Sequence, residues 1–241
     1  MPGRSVTPVP GTAVISGAGR GFGAALADVL TAEQWTVYGI VRPGFAAEAR
    51  VGGSVRFLEW DIAHSCPEDV AEVLAEASID VVVNNAAVGS SQKTLSSVDS
   101  GSLAQLLDNN VAGAVRVTQA SLDGLLRTGP GGRRPLVVNV SSRLGSASLH
   151  AEGAFAGFGT SYGYRLSKAA LNMLTLSLHE EFGAEMDAWS VHPGALKTGM
   201  GRPGASKEPA AAARELLHEF NKHRGTGPRF FELGSSASLP W

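Results

Sequence analysis

Ser16-Gly17-Ala18-Gly19-Arg20-Gly21-Phe22-Gly23, leading into the apolar positions Ala24, Leu26, Ala27 and Leu30, is the stretch that decides the fold. A strand-like run over residues 13–16 stops at Gly17, and apolar residues then recur at helical spacing, so the chain turns here from strand to helix. Gly17 permits a tight turn, and Gly23 lets the helix lie close against the strand. The register is Gly-x-x-x-Gly-x-Gly; the commoner Gly-x-Gly-x-x-Gly fails because Phe22 stands where its third glycine belongs. With 30 glycines among 241 residues, chance clusters are expected, so the surroundings must decide what the turn is for.

Outward from this turn, strand-like runs at residues 35–41, 55–58, 81–83, 136–140 and 189–192 alternate with longer periodic segments, and Phe230 and Phe231 add a seventh candidate. Such alternation predicts an α/β protein, a single Rossmann-type doubly wound domain over residues 1–241. Its mainly parallel sheet of about seven strands carries helices on both faces, with ligand contacts at the carboxyl ends of the strands. A chain that is 44% hydrophobic and 17% charged, with mean hydropathy +0.04, has the composition of a globular protein.

The net charge of -2 argues against a nucleic-acid partner, and the Arg133-Arg134 pair, in a Gly/Pro-rich stretch, reads as part of a solvated loop. Cys66 is the only cysteine, which rules out an intramolecular disulfide and gives no sign of a metal site. The first eleven residues hold Pro2, Pro8 and Pro10 and no apolar leader. No run approaches the roughly 18 apolar residues a membrane span needs, so the expected location is cytoplasmic.

A helix that begins behind glycines presents backbone amides to a pyrophosphate, and Gly21 lets that group approach closely. NAD-binding folds place an acid about 20 positions further on to receive the ribose 2′-hydroxyl. Here the place holds Val41-Arg42. With no carboxylate there, and with Arg20 and Arg42 able to form charge-assisted hydrogen bonds, a 2′-phosphate is accommodated, and the cofactor reading is NADP(H). The alternative is a pair of ordinary surface cations. At the end of the next strand, Asp61, beside Ile62, either caps the following segment or accepts a bond from the adenine amine; the adenine reading is carried forward.

The chemistry sits later in the chain. Tyr164-Arg165-Leu166-Ser167-Lys168 falls on a helix predicted to run to about residue 182, and a spacing of four stacks Tyr164 and Lys168 on one face. An ammonium beside a phenol favours its ionised form and so lowers a pKa that is about 10 unperturbed. The strand over residues 136–140 ends in Ser141-Ser142, and Ser142 is the expected hydrogen-bond donor to a carbonyl oxygen that gains charge. Asn110 lies on a helix stripe with Leu107, Ala114 and Val117, where its amide requires a partner and is as well explained by a structural role.

Taken together, these residues resemble the short-chain dehydrogenase/reductase family over nearly the whole chain and in the family's order. The glycine loop is residues 16–23, the Asn-Asn-Ala-Gly segment appears as Asn84-Asn85-Ala86-Ala87, and the catalytic trio as Ser142, Tyr164 and Lys168. The Pro-Gly segment appears as His192-Pro193-Gly194-Ala195-Leu196-Lys197-Thr198. The runs around Ser142 and Tyr164, with the terminal Leu239-Pro240-Trp241, are similar to the branch containing C-factor and Sniffer-type carbonyl reductases.

The resemblance implies cofactor contacts from Asn85, Pro193, Gly194, Leu196 and Thr198, with Leu196 meeting the carboxamide through its backbone. It also implies that Lys168 binds the nicotinamide ribose and that Asn110 holds a proton-relay water. The implied reaction is NADPH-dependent reduction of a carbonyl, with Tyr164 as proton donor. A non-catalytic sensor or signalling protein, and an epimerase or dehydratase on the same fold, are the rival readings. A homo-oligomer, dimer or tetramer, is a possible state, and the partner of the site is a small carbonyl or alcohol.

Departures are Ser16 where the family has threonine, Ala87 where it has glycine, and a long interval of 22 positions from Ser142 to Tyr164. Residues 143–161 are expected to wall and partly cover the substrate pocket, with Arg143, Phe155 and Phe158 as contacts and Met200 joining them after the Pro-Gly segment.

Overall fold

A computed structural model describes residues 10–45, 55–127, 133–201, 204–222, 225–235 and 237–241. The proline-bearing start, residues 1–9, lies outside them. In chain order the elements are β1 (Thr12–Ser16), α1 (Gly21–Ala32), β2 (Thr36–Val41), β3 (Val55–Glu59), α2 (Glu68–Glu76) and β4 (Val81–Asn84). Next come α3 (Ser100–Leu107), a π-helical turn (Asp108–Ala112), α4 (Gly113–Ala120), α5 (Leu122–Leu126) and β5 (Leu136–Val140). A 3-10 turn (Arg143–Gly145), α6 (Ala147–Ala151), α7 (Tyr162–Phe182), β6 (Asp187–His192), α8 (Pro209–Lys222) and β7 (Arg229–Glu232) complete the chain.

The seven strands form one sheet in the order β3-β2-β1-β4-β5-β6-β7, and every adjacent pair is parallel. Central parallel strands are buried on both faces, which is why β1, β4 and β5 read as apolar runs, whereas β3 at the edge of the sheet carries Arg56 and Glu59. Successive side chains still divide between faces. Ile15, Val83, Val138 and Val191 pack with Leu26 and Leu30 of α1 and Leu216 and Phe220 of α8. Val14, Val82, Val137 and Ala188 pack instead with Leu74 of α2, Val117 of α4, Leu125 of α5 and Leu178 of α7. The order reverses between β1 and β4, so a crevice opens where their carboxyl ends diverge. Among the described residues, no helix is long and apolar enough to cross a membrane.

One sequence expectation is corrected here. Arg134 is anchored rather than freely solvated: its Nε donates to Oδ1 of the buried Asp187 at 2.9 Å and its Nη1 to Ala184 O at 2.7 Å. Arg133 lies over the Trp35 ring at 5.3 Å. The two side chains close the amino-terminal edge of the sheet, where buried Asp187 would otherwise carry an uncompensated charge.

Candidate active site

At the exit of β1, Gly17 and Gly21 adopt φ of +69° and +59°, a region L side chains rarely enter. Gly17 N donates to Ile40 O at 2.9 Å, which turns the loop across the end of β2. Gly23 is fixed by space: a Cβ there would lie 2.4 Å from both Asn85 Nδ2 and Gly17 O. Gly19 lies beneath Phe45, whose ring would meet a Cβ at 2.7 Å. Phe22 is buried in the core. Arg20, at the N-cap of α1, makes no side-chain cap bond and no acid stands in the first turn, so among the described residues the amides of Gly21, Phe22 and Gly23 face the crevice as a place for an anion.

Asn85 braces this loop. Its Nδ2 donates to Ser16 O at 2.9 Å and Gly17 O at 3.2 Å, while the Ser16 hydroxyl accepts from the backbone amides of Asn85 and Ala86. Thr198 borders the loop, since a Cβ on Gly21 would be 3.4 Å from Thr198 Cγ2. That contact brings the segment after β6, with buried Pro193 and Leu196 and with Gly194 at φ +91°, onto the same crevice. Arg20 and Arg42 are both exposed at neighbouring strand exits, and neither is paired with a carboxylate of the described residues. Asp61 turns its Oδ1 to the backbone of Ala63 at 3.2 Å, which is the local cap among its two expected roles. Ile62 is buried against Gly113.

Two features place α7. Ser161 caps it, its hydroxyl accepting from Tyr164 N at 3.1 Å, and Gly163 lets Leu103 and Leu106 of α3 approach, a Cβ there lying 3.3 and 3.2 Å from them. Tyr164 and Lys168 then face the end of β5, where the Ser142 hydroxyl lies near enough to the phenol to act on its pKa. Lys168 is buried, its Nζ donating to Val140 O at 2.7 Å and lying 5.5 Å from the Tyr164 ring centroid.

The electrostatics differ from the expectation that Lys168 lowers the phenol. Burial, the larger influence, raises the Tyr164 pKa above its ordinary value, and the neighbouring Ser142 hydroxyl acts in the opposite direction. The ammonium pays for burial as well, its pKa pushed down to about 8.

A stability prediction follows. In the unfolded chain Lys168 titrates near 10.5 and in the folded chain near 8, so between those values the unfolded state binds more protons and stability rises with pH. Relative to Lys168→Met, the unmodified protein should gain about 2 kcal/mol between about pH 7.5 and about pH 9.5 in urea denaturation. Parallel curves for the two proteins would place the ammonium in contact with water.

Asn110 is committed at both ends of its side chain. Its Oδ1 accepts from Val88 N at 2.7 Å, and its Nδ2 donates to Val88 O at 3.0 Å and to Ser167 Oγ at 3.2 Å. It thereby ties the loop after β4 to α7, from within a π-helical turn of the kind often found beside functional sites. That loop and α3 enclose a polar cleft of about 440 Å³ lined by Val88, Ser91, Gln92, Gln105 and Asn109, among others; Tyr164 does not line it.

The segment expected to cover the pocket is ordered differently from that expectation. α6 and the turn before it face Leu166 and Ala169, on the side of α7 turned away from Tyr164, across a cavity of about 230 Å³. Ser148 Oγ donates to Trp241 O at 2.6 Å, tying α6 to the end of the chain. Phe155 packs on His150 and Phe158, with the exposed Arg143 at 5.9 Å from its ring. Phe158 and Met200 are largely exposed.

Sequence reasoning missed the polar side chains behind the site. Asn84 Nδ2 donates to Asn139 Oδ1 at 2.9 Å, Asn139 Nδ2 to Thr175 Oγ1 at 2.9 Å, and Thr175 meets Ser190 Oγ at 2.8 Å, crossing the sheet from β4 to β6. Asn172 is bonded to Ser141 and Gly145. The available signal was the repeat of polar residues at 164, 168 and 172, one helical turn apart.

A family model described as short chain dehydrogenase matches residues 11–209. C-signal of Myxococcus xanthus is 33% identical over 168 residues, covering 68% of this chain and 93% of that protein. The carbonyl reductase Sniffer of D. melanogaster superposes with a TM-score of 0.81 at 23% identity, over 97% of this chain and 100% of that one. A carbonyl reductase from Pseudomonas aeruginosa PAO1 superposes with a TM-score of 0.75 at 28% identity, over 96% and 100% of the two chains.

Proposed function

The chain belongs to the short-chain dehydrogenase family, and from that premise we propose that it is an NADP(H)-dependent oxidoreductase acting on a carbonyl or secondary alcohol, chiefly as a ketone reductase of the carbonyl reductase type. What carries the proposal is the grouping of Ser142, Tyr164 and buried Lys168, whose Nζ lies 5.5 Å from the Tyr164 ring centroid, at the crevice bordered by the glycine loop. The cofactor fits this chain because Gly17 and Gly21, at positive φ, turn the loop onto the start of α1, where Arg20 makes no side-chain cap and no acid stands in the first turn, and because Arg42 stands where an acid would repel a 2′-phosphate.

Bound there, NADPH supplies the hydride. Tyr164 gives its phenolic proton to the carbonyl oxygen, and the Ser142 hydroxyl donates to the same oxygen as charge develops on it. A phenol held above its ordinary pKa stays protonated at neutral pH, which suits donation and hence reduction. Lys168 would bind the nicotinamide ribose, and Gly194, Leu196 and Thr198 would hold the carboxamide end. Of the four expected substrate contacts, Met200 follows the Pro-Gly segment, whereas Phe155 and Phe158, with Arg143 5.9 Å from the Phe155 ring, pack with His150 of α6, away from Tyr164.

Cofactor choice gives the first test. The protein should bind NADPH at least about tenfold more tightly than NADH, about 1.4 kcal/mol, and Arg42→Ala should erase most of that difference. Fluorescence titration of both dinucleotides measures it. Equal affinities in the unmodified protein would defeat the assignment of Arg42.

The name C-signal favours a second reading, a signalling protein that uses the fold to engage a partner. Such a protein gains nothing from keeping Ser142, Tyr164 and Lys168 in contact. Steady NADPH consumption with a ketone or quinone panel separates the two.

A further inference from the structure

The reacting pair comes from two elements with separate origins: Ser142 follows β5, and Tyr164 lies in the first turn of α7. A hydroxyl that donates to a developing charge has to be held in place within a fraction of an ångström. One buried side chain spans the join. Asn172 Oδ1 accepts from Ser141 Oγ at 2.6 Å, and Asn172 Nδ2 donates to Gly145 O at 3.1 Å, so a single amide grips the chain immediately before Ser142 and three residues after it. Asn172 is 4% exposed and lies one helical turn beyond Lys168 and two beyond Tyr164, on their face of α7.

Ser141 adds a second bond to α7, its hydroxyl reaching Lys168 O at 3.3 Å. Gly145 is independent support for a designed contact. A Cβ there would lie 2.6 Å from the Lys168 carbonyl carbon, so the turn approaches the backbone of α7 at a distance only glycine permits. Between these two anchors, Ser142 Oγ accepts from Leu144 N at 3.2 Å, which leaves its proton free to point outward.

We propose that Asn172 is the positioning residue that fixes the Ser142 hydroxyl against the Tyr164 phenol. It rests on the reading of Ser142 and Tyr164 as the proton-transfer pair, and acts through them without touching substrate. Both of its hydrogen bonds are buried, so truncation frees the segment on both sides of Ser142 together.

The test uses two readouts. In kinetics, Asn172→Ala should lower kcat about tenfold with the KM for NADPH within about twofold, and on a Ser142→Ala background the same change should cost about twofold or less, because the hydroxyl it positions is already gone. In NMR, tyrosine labelled with 13C at Cζ gives three resonances, and Tyr164→Phe identifies one of them as Tyr164. Asn172→Ala should move that resonance most of the way that Ser142→Ala moves it. Ser141→Ala, which cuts one anchor and leaves Asn172 in place, should act in the same direction and less strongly, and it serves if Asn172→Ala does not fold. An equal kinetic cost on both backgrounds, or an unmoved Tyr164 resonance, overturns the proposal. If no carbonyl is reduced by the unmodified protein, the oxidoreductase reading fails while the resonance still decides the role of Asn172.

Discussion

Replacing Tyr164 by phenylalanine should lower kcat for carbonyl reduction by at least about two orders of magnitude, with NADPH affinity unchanged within about twofold. The change removes one hydroxyl and keeps the ring, so the contact with Lys168 at 5.5 Å and the capping of α7 by Ser161 both persist. Burial already keeps the phenol protonated at neutral pH, so no charge is deleted and the fold has no reason to weaken. What disappears is the proton that quenches the oxygen when the carbonyl carbon gains hydride. Steady-state NADPH oxidation alongside a thermal melt checks this. Activity retained in a folded Tyr164→Phe protein would assign the proton to another group.

Gly23→Ala should lower stability by about 1–3 kcal/mol and NADPH affinity at least about tenfold. The added methyl would meet Asn85 Nδ2 and Gly17 O, each at 2.4 Å. Neither can swing aside cheaply: they are bonded to each other at 3.2 Å, and Asn85 Nδ2 is held to Ser16 O at 2.9 Å. Relief requires moving the loop away from α1 or breaking the Asn85 brace, and either displaces the amides that receive the pyrophosphate. Denaturation and fluorescence titration measure the two effects separately. A Gly23→Ala protein that melts and binds NADPH like the unmodified one would contradict the close packing of loop and helix.

Much of this was legible in the sequence because buried parallel strands leave an apolar run wherever they occur. The runs at 13–16, 35–41 and 136–140 correspond to β1, β2 and β5 with ends displaced by no more than a residue, and Phe230 and Phe231 are the centre of β7. Tyr164 and Lys168 were legible because their partner lies on the same helix. Interactions across long separations were not. Arg134 looked like a loop cation because Asp187, its partner, is 53 positions away.

Asn172 continues the polar row of Tyr164 and Lys168 along α7, and a polar row on a helix ordinarily marks the solvent face; the sheet packed against α7 shows that this face is buried. The long interval between Ser142 and Tyr164 was visible, but its direction was not. Gly145 meeting the Lys168 backbone and Ser148 meeting Trp241 decide that α6 lies on the far side of α7.

The central claim is hydride transfer to a carbonyl carbon, with the proton coming from Tyr164. It is tested most directly by incubating the protein with NADPH carrying two deuterium atoms at C4 and a panel of ketones and aldehydes, then weighing the products. An alcohol carrying one deuterium on the former carbonyl carbon, formed by the unmodified protein and at least about a hundredfold more slowly by Tyr164→Phe, is the predicted result. Bound NADPH that stays fully deuterated while every carbonyl in the panel is recovered unchanged would contradict it.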